Sequence, residues 1–223
     1  MVGKIQRLDF SGSSNIGAFC RATDHWVIQA ASTQPTERDL QTLFDKPTVK
    51  TTVGHSTLVG ILVAGNRNGL LVPHIIMDEE LEHLRTALGC PVTPVKSKLT
   101  ALGNLILAND HAALVSRGFA KTELEVIRDT LGVEVEARTV ARSNLVGSYC
   151  VVTNRGLLAH PDVSEDELAE LGSFFAVNTG VGTINCGVPY VSIGLLAASH
   201  AAAAGFETTG PELMRITETF FPE

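Results

Sequence analysis

The stretch ALGNLILAND, residues 101–110, decides the fold, because variants of it recur along the whole chain. Gly103 has counterparts at Gly17 in NIGAFCRA, Gly60 in LVGILVAGN and Gly147 in LVGSYCVVTN; the fifth copy, YVSIGLLAAS, places Ser192 there. The spacings are 43, 43, 44 and 45 residues. A period of 20–50 residues denotes a propeller, solenoid or array rather than two ordinary domains. Five such units account for nearly all of the 223 residues.

A second register has the same period. Leu81, Leu84 and Leu88 sit at offsets 0, +3 and +7, as do Leu124, Ile127 and Leu131, then Leu168, Leu171 and Phe175, then Leu213, Ile216 and Phe220. That spacing is one stripe of an α-helix. The first copy keeps Leu40 and Leu43, but Pro47 holds its +7 position. Its helix is therefore expected to be shorter.

Each unit reads strand–strand–helix–strand. An apolar run such as Leu58–Ala64 or Val146–Val152 leads to a polar turn (Asn66-Arg67-Asn68-Gly69, Asn109-Asp110-His111, Asn154-Arg155-Gly156) and a second apolar run. Two such runs about an Asn/Gly turn form a hairpin. Thr122 with Glu125, Ser164 with Glu167, and Thr209 with Glu212 fit capping boxes at helix starts. A further strand follows the helix, at Val92–Val95 or Val133–Glu136. This pattern excludes helical repeats and argues against an all-β WD propeller, whose blades lack a helix.

The fifth unit stops at its helix near Phe221, and the segment Ile5–Phe10 is a surplus strand ahead of the first unit. The simplest closure uses that segment to complete the last blade, leaving no long open edge. Ala201–Ala204 falls where a strand of the fifth unit belongs, although alanine favours helix. Either packing overrides propensity there or that blade is distorted. The expected organisation is one domain, 1–223, with units near 11–54, 55–97, 98–141, 142–186 and 187–223, and with 1–10 completing the last.

Composition sets the class. Hydrophobic residues make up 44% of the chain, charged residues 18%, and the net charge is −7. No apolar run approaches the roughly 18 residues that span a bilayer. The start lacks a secretory apolar stretch, and the four cysteines form no CxxC pair. A cytoplasmic protein with reduced thiols is expected. The acidic balance argues against nucleic-acid phosphate as the dominant partner.

Several strings carry a resemblance to the translation initiation factor 6 family, the ribosome anti-association factors of archaea and eukaryotes. They are NIGAF at 15–19, GNRNGLLVP at 65–73, DEEL at 78–81, ALGN with ND at 101–104 and 109–110, VGSYCVVTN at 146–154, HP at 160–161, GTIN at 182–185 and TTGPEL at 208–213. The resemblance spans the chain, and its length looks archaeal. It implies a pentein fold, a closed ring of five quasi-equivalent α/β units. It also implies binding to the subunit-joining face of the large ribosomal subunit, so that the small subunit is kept away; in eukaryotes it extends to large-subunit maturation. The implied partner is a ribosomal protein beside the sarcin–ricin loop, with ribosomal RNA as a lesser contact. No membrane, cofactor or metal is implied, and the chain is expected to act as a monomer without turnover.

Within that resemblance Asn104 of ALGN is the clearest binding residue. Ile61 is its equivalent one unit earlier and Ser148 one unit later, with Tyr190 at the corresponding approach in unit five. Lys96 and Lys98, before the third unit, and Arg138 and Arg142, before the fourth, are either solvated loop charge or a basic rim that touches RNA. All are expected at the end of the ring where first strands begin.

Pentein enzymes attack guanidino groups with a Cys, a His and acidic residues, and this is the alternative function. Cys186 in GVGTINCG with His160 and Asp162 is the candidate set, since a nucleophilic thiol needs a base. The repeat frame counts against it, because His160 is expected at a surface junction between strand and helix. Cys20 and Cys150 share one repeat offset and read as core. His25, His111 and His200 share another, at the hairpin turn, where turn polarity explains them better than a metal does. Gly180-Val181-Gly182 lacks the strand-to-helix context of a dinucleotide loop.

Overall fold

A computed structural model describes residues 3–31 and 37–222. The chain runs β1 (Lys4–Leu8), α1 (Ile16–Phe19), β2 (Cys20–Ala22), β3 (Val27–Ala30), α2 (Glu37–Phe44) and β4 (Thr48–Thr51). The second unit is α3 (Val59–Leu62), β5 (Ala64–Gly65), β6 (Leu70–Pro73), α4 (Asp78–Leu88) and β7 (Val92–Val95). The third is α5 (Leu102–Leu105), β8 (Ile106–Ala108), β9 (Ala112–Val115), α6 (Lys121–Leu131) and β10 (Glu134–Ala137). The fourth is α7 (Val146–Tyr149), β11 (Cys150–Val152), β12 (Gly156–Ala159), α8 (Glu165–Phe175) and β13 (Asn178–Val181). The fifth is α9 (Val191–Gly194), β14 (Leu195–Ala198), β15 (Ala201–Gly205) and α10 (Gly210–Phe220).

The result is a mixed α/β protein with five three-stranded sheets. In each sheet the first strand pairs antiparallel with the second, and the third lies parallel on the second's other edge, after the long helix. The fifth sheet takes its third strand from the start of the chain. β1 pairs parallel with β15, from Lys4 opposite Ala201 to Leu8 opposite Gly205. The expected closure is present, at Lys4–Leu8 rather than Ile5–Phe10; Phe10 instead bridges Ser13 in a tight turn. The alanine run is a regular strand: Ala201–Ala204 are fully buried, and packing overrides their helix preference.

The apolar runs differ from the expectation. Their first halves are one-turn helices, α1, α3, α5, α7 and α9, and only the tails are strands. A short continuous apolar run has no period that separates these possibilities. The reason for the turn lies in the glycines. The five short helices touch in cyclic order, α1 to α3, α5, α7, α9 and back to α1. A Cβ on Gly60 would strike the Gly17 carbonyl oxygen, one on Gly103 that of Gly60, one on Gly147 that of Gly103, and one on Gly17 that of Ser192. Backbone meets backbone around the axis, so the repeated glycine is a requirement of close approach.

The long helices follow the stripe, and α2, with 8 residues, is shorter than the 11 of the other four. Glu80, Glu123 and Glu212 accept hydrogen bonds from the backbone N–H groups of Met77, Ala120 and Thr209 at the helix starts. The third long helix therefore begins at Lys121, not at the Thr122–Glu125 box. Gly89 and Gly132 end α4 and α6 in the left-handed region.

Each apolar core joins one unit's sheet and helix to the preceding unit's sheet. Ala64 reaches into the third unit's core, Leu107 into the fourth's, Val151 into the fifth's and Leu196 into the first's. These are one repeat position, four residues past Gly60, Gly103, Gly147 and Ser192, and they interlock neighbouring units.

Candidate functional site

The two ends of the molecule are built differently. At the short-helix end, Asn15, Ile61, Asn104, Ser148, Val188, Tyr190, Ser192 and Ile193 line one depression of about 360 Å³. The repeat generates it: Ile61, Asn104, Ser148 and Ile193 each hold the third position of their short helix. Asn104 therefore lies within a helical turn rather than at the start of a strand. Four of the six residues expected at a binding site, Ile61, Asn104, Ser148 and Tyr190, meet here. Ile193 and Asn15 were not singled out from sequence, although Ile193 holds the same repeat offset as Asn104.

The polar side chains here are free. Asn104 is half-buried, and among the described residues its carboxamide has no hydrogen-bond partner. It does not cap its own backbone. Asn15, at the helix cap position of α1, makes no side-chain cap bond. Tyr190 is 45% exposed and lies edge-on to Tyr149 (centroids 5.5 Å apart) and to His160 (5.9 Å). His160 in turn stacks on Tyr149 at 4.3 Å. Leu58 and Leu145, at the cap positions of α3 and α7, are exposed beside this face. Lys96 and Lys98 are exposed between β7 and α5 and do not line the depression. Arg142 is also exposed, whereas Arg138 is held by Glu170 at 3.1 Å and Glu136 at 3.8 Å.

At the hairpin end every unit is tied to another. Asp110 accepts from His25 Nε2 at 2.7 Å, from the Arg67 N–H at 2.9 Å and from Asn154 Nδ2 at 2.6 Å. Burial opposes its charge, but these bonds, His25's first, hold the carboxyl below its ordinary value. Asp24 accepts from the Asn154 N–H and from the Ser199 hydroxyl. Asn66 donates to the carbonyls of Asn109 and Leu131, and Asn109 to those of Thr153 and Phe175. Each asparagine thus satisfies a carbonyl at the end of the next unit's helix, where backbone acceptors are otherwise orphaned. His200 donates to the Phe44 carbonyl in the same way, at 2.6 Å.

A model described as the eIF-6 family matches residues 5–219. The chain belongs to the eIF-6 family. Translation initiation factor 6 of Pyrococcus horikoshii is 43% identical over 222 residues, which cover 96% of this chain and 97% of that protein. Its counterpart in Pyrococcus abyssi is 42% identical over 220 residues, with the same coverage. Eukaryotic translation initiation factor 6 of Tetrahymena thermophila is 36% identical over 223 residues, covering 96% of this chain and 90% of that one. These names give the eIF-6 family, and this chain with it, the role of a translation initiation factor and not of an enzyme.

The segments of the alternative catalytic set have local hydrogen-bond partners in this eIF-6 family member. Cys186 is exposed in a turn at positive φ, and its backbone N–H and that of Gly187 bond to Glu212. His160 is buried, not at a surface junction, and its Nδ1 accepts the Asp162 N–H. Burial opposes the charge of Glu212, but the N–H groups of Thr209 and Gly187 and the hydroxyls of Thr183 and Thr209 hold its carboxyl down at about 2. Cys20 and Cys150 are fully buried, which pushes the Cys20 thiol far up and that of Cys150 to about 12. His25 and His200 are structural donors, and no cluster that could hold a metal ion occurs among the described residues. No helix of these residues is long and apolar enough to cross a membrane.

Proposed function

We propose that this chain binds the large ribosomal subunit through the short-helix end and keeps the small subunit from joining it. The observation that carries this reading is Asn104: a half-buried carboxamide with no partner among the described residues, lining a depression built from the same position of successive units. An amide that the protein leaves unbonded on a concave, largely apolar face offers an occupant both a donor and an acceptor. Tyr190, backed by Tyr149 and His160, is the aromatic anchor such a face needs.

The partner in this reading is a ribosomal protein beside the sarcin–ricin loop. Exposed Lys96 and Lys98 supply a minor RNA contact at the edge, which suits a net charge of −7. The five units form a pentein ring that acts in the cytoplasm as a rigid monomeric block. Inhibition of joining is steric, and neither cofactor nor turnover takes part. A role in large-subunit maturation follows from occupancy of the same face. Sedimentation with purified subunits is the test: the protein should travel with large subunits and not with small ones. Co-sedimentation with small subunits, or with neither, would overturn the reading.

A further inference from the structure

The inner strands surround a narrow, partly open cavity on the axis of the molecule, lined by Gly17, Cys20, Arg21, Asn66, Asn109 and Thr153 among others. Its volume of about 30 Å³ has room for two or three water molecules, at roughly 10–15 Å³ each. Arg21 is the anomaly in its wall. It stands four residues past Gly17, the repeat position filled elsewhere by Ala64, Leu107, Val151 and Leu196. Those four interlock adjacent cores; the first unit alone puts a permanent cation there.

No acceptor for the Arg21 guanidinium occurs among the described residues, by hydrogen bond or ion pair. Two carboxylates line the same cavity, but both are engaged at the hairpin end, Asp24 with Ser199 and Asn154, and Asp110 with His25, Arg67 and Asn154. Arg21 is half-buried and lines this cavity. Desolvation alone lowers its pKa, to about 10. The group remains charged at neutral pH, and a partly desolvated cation that no protein group pairs favours a counter-ion.

We infer that the axial cavity holds one small monovalent anion of halide size, bound to Arg21. The volume excludes phosphate, nucleotides and organic carboxylates, none of which fits the space of two or three waters. The ion would complete the inside of the ring and give the protein a specific halide dependence of stability.

Bromide is the probe. Crystals grown with bromide as the sole halide should show an anomalous peak on the axis, beside the Arg21 guanidinium; ordered water alone at that position would overturn the inference. A second arm uses melting at fixed ionic strength, with bromide or chloride replacing gluconate, which is too large to enter. A ligand that binds only the folded state raises Tm as it saturates. The wild type should gain about 2–4 °C, the scale of ~1 kcal/mol in a chain of this length. Arg21→Met, close in length and uncharged, should show no gain. An equal gain in both proteins would place the halide effect elsewhere and overturn the site. Should Arg21→Met not fold, the bromide peak in the wild type decides alone.

Discussion

Three asparagines at the hairpin end and two at the short-helix end have the same side chain and opposite circumstances. Asn66, Asn109 and Asn154 each bond to a neighbouring unit. The side chains of Asn15 and Asn104 bond to no group among the described residues. One end uses its polarity to hold five units together; the depression at the other leaves polar side chains and apolar cap residues open. On the proposed function, structure and recognition are divided between the two ends of five near-equal units rather than between domains.

The sharpest way to break that division is to break the axis itself. Gly103→Ala pushes a Cβ into the carbonyls of Gly60 and Val63. A loss above about 4 kcal/mol, or failure to fold, is expected, and denaturant unfolding measures it. Near-normal stability would mean that the short helices do not need their close approach.

Next comes the hairpin end. Asp110→Ala strands the His25 ring, the Arg67 N–H and Asn154. A loss of about 3 kcal/mol is expected, from buried donors left without a charged acceptor. Affinity for the large subunit, measured well below the melting temperature, should stay unchanged.

A smaller effect is expected at Glu212→Gln. The wild-type carboxyl has a folded pKa of about 2, below the ~4.3 of an unfolded glutamate. Its stabilisation is therefore complete above that unfolded value and is lost as the pH falls through about 2. The stability gap between wild type and variant should be about 1–2 kcal/mol at pH 7 and should close between pH 4 and 2. A gap independent of pH would show that the charge contributes nothing.

Much of this architecture was legible in residue order. The glycine spacing gave the unit, the Leu/Ile/Phe stripe gave the long helices, and the missing third strand after Phe221 pointed to β1. Three things were not legible. The run Leu58–Ala64 contains a helical turn, because an unbroken apolar run has no period to read and the backbone contact between Gly60 and Gly17 is 43 residues away. The bonds of Asp24 and Asp110 span from 43 to 175 residues, and a turn aspartate that bonds a distant unit looks in sequence like one that faces water. His160 read as a surface junction, yet its stacking on Tyr149 depends on two chain segments meeting in space. Ile61, Asn104 and Ser148 converged because they share one repeat position, and Tyr190 joins them from the cap position of α9; Lys96 and Lys98 share only a neighbourhood in the chain, and the depression excludes them.

The most direct test of the division between ends is large-subunit binding by two single variants. Asn104→Ala should weaken affinity about 10- to 100-fold, the ~1–3 kcal/mol of a central contact that loses its hydrogen bond, with the melting temperature nearly unchanged. His111→Ala, exposed at a hairpin turn on the opposite end, should bind as the wild type does. Equal losses from both changes, or a loss from His111→Ala alone, would contradict the placement of recognition at the short-helix end.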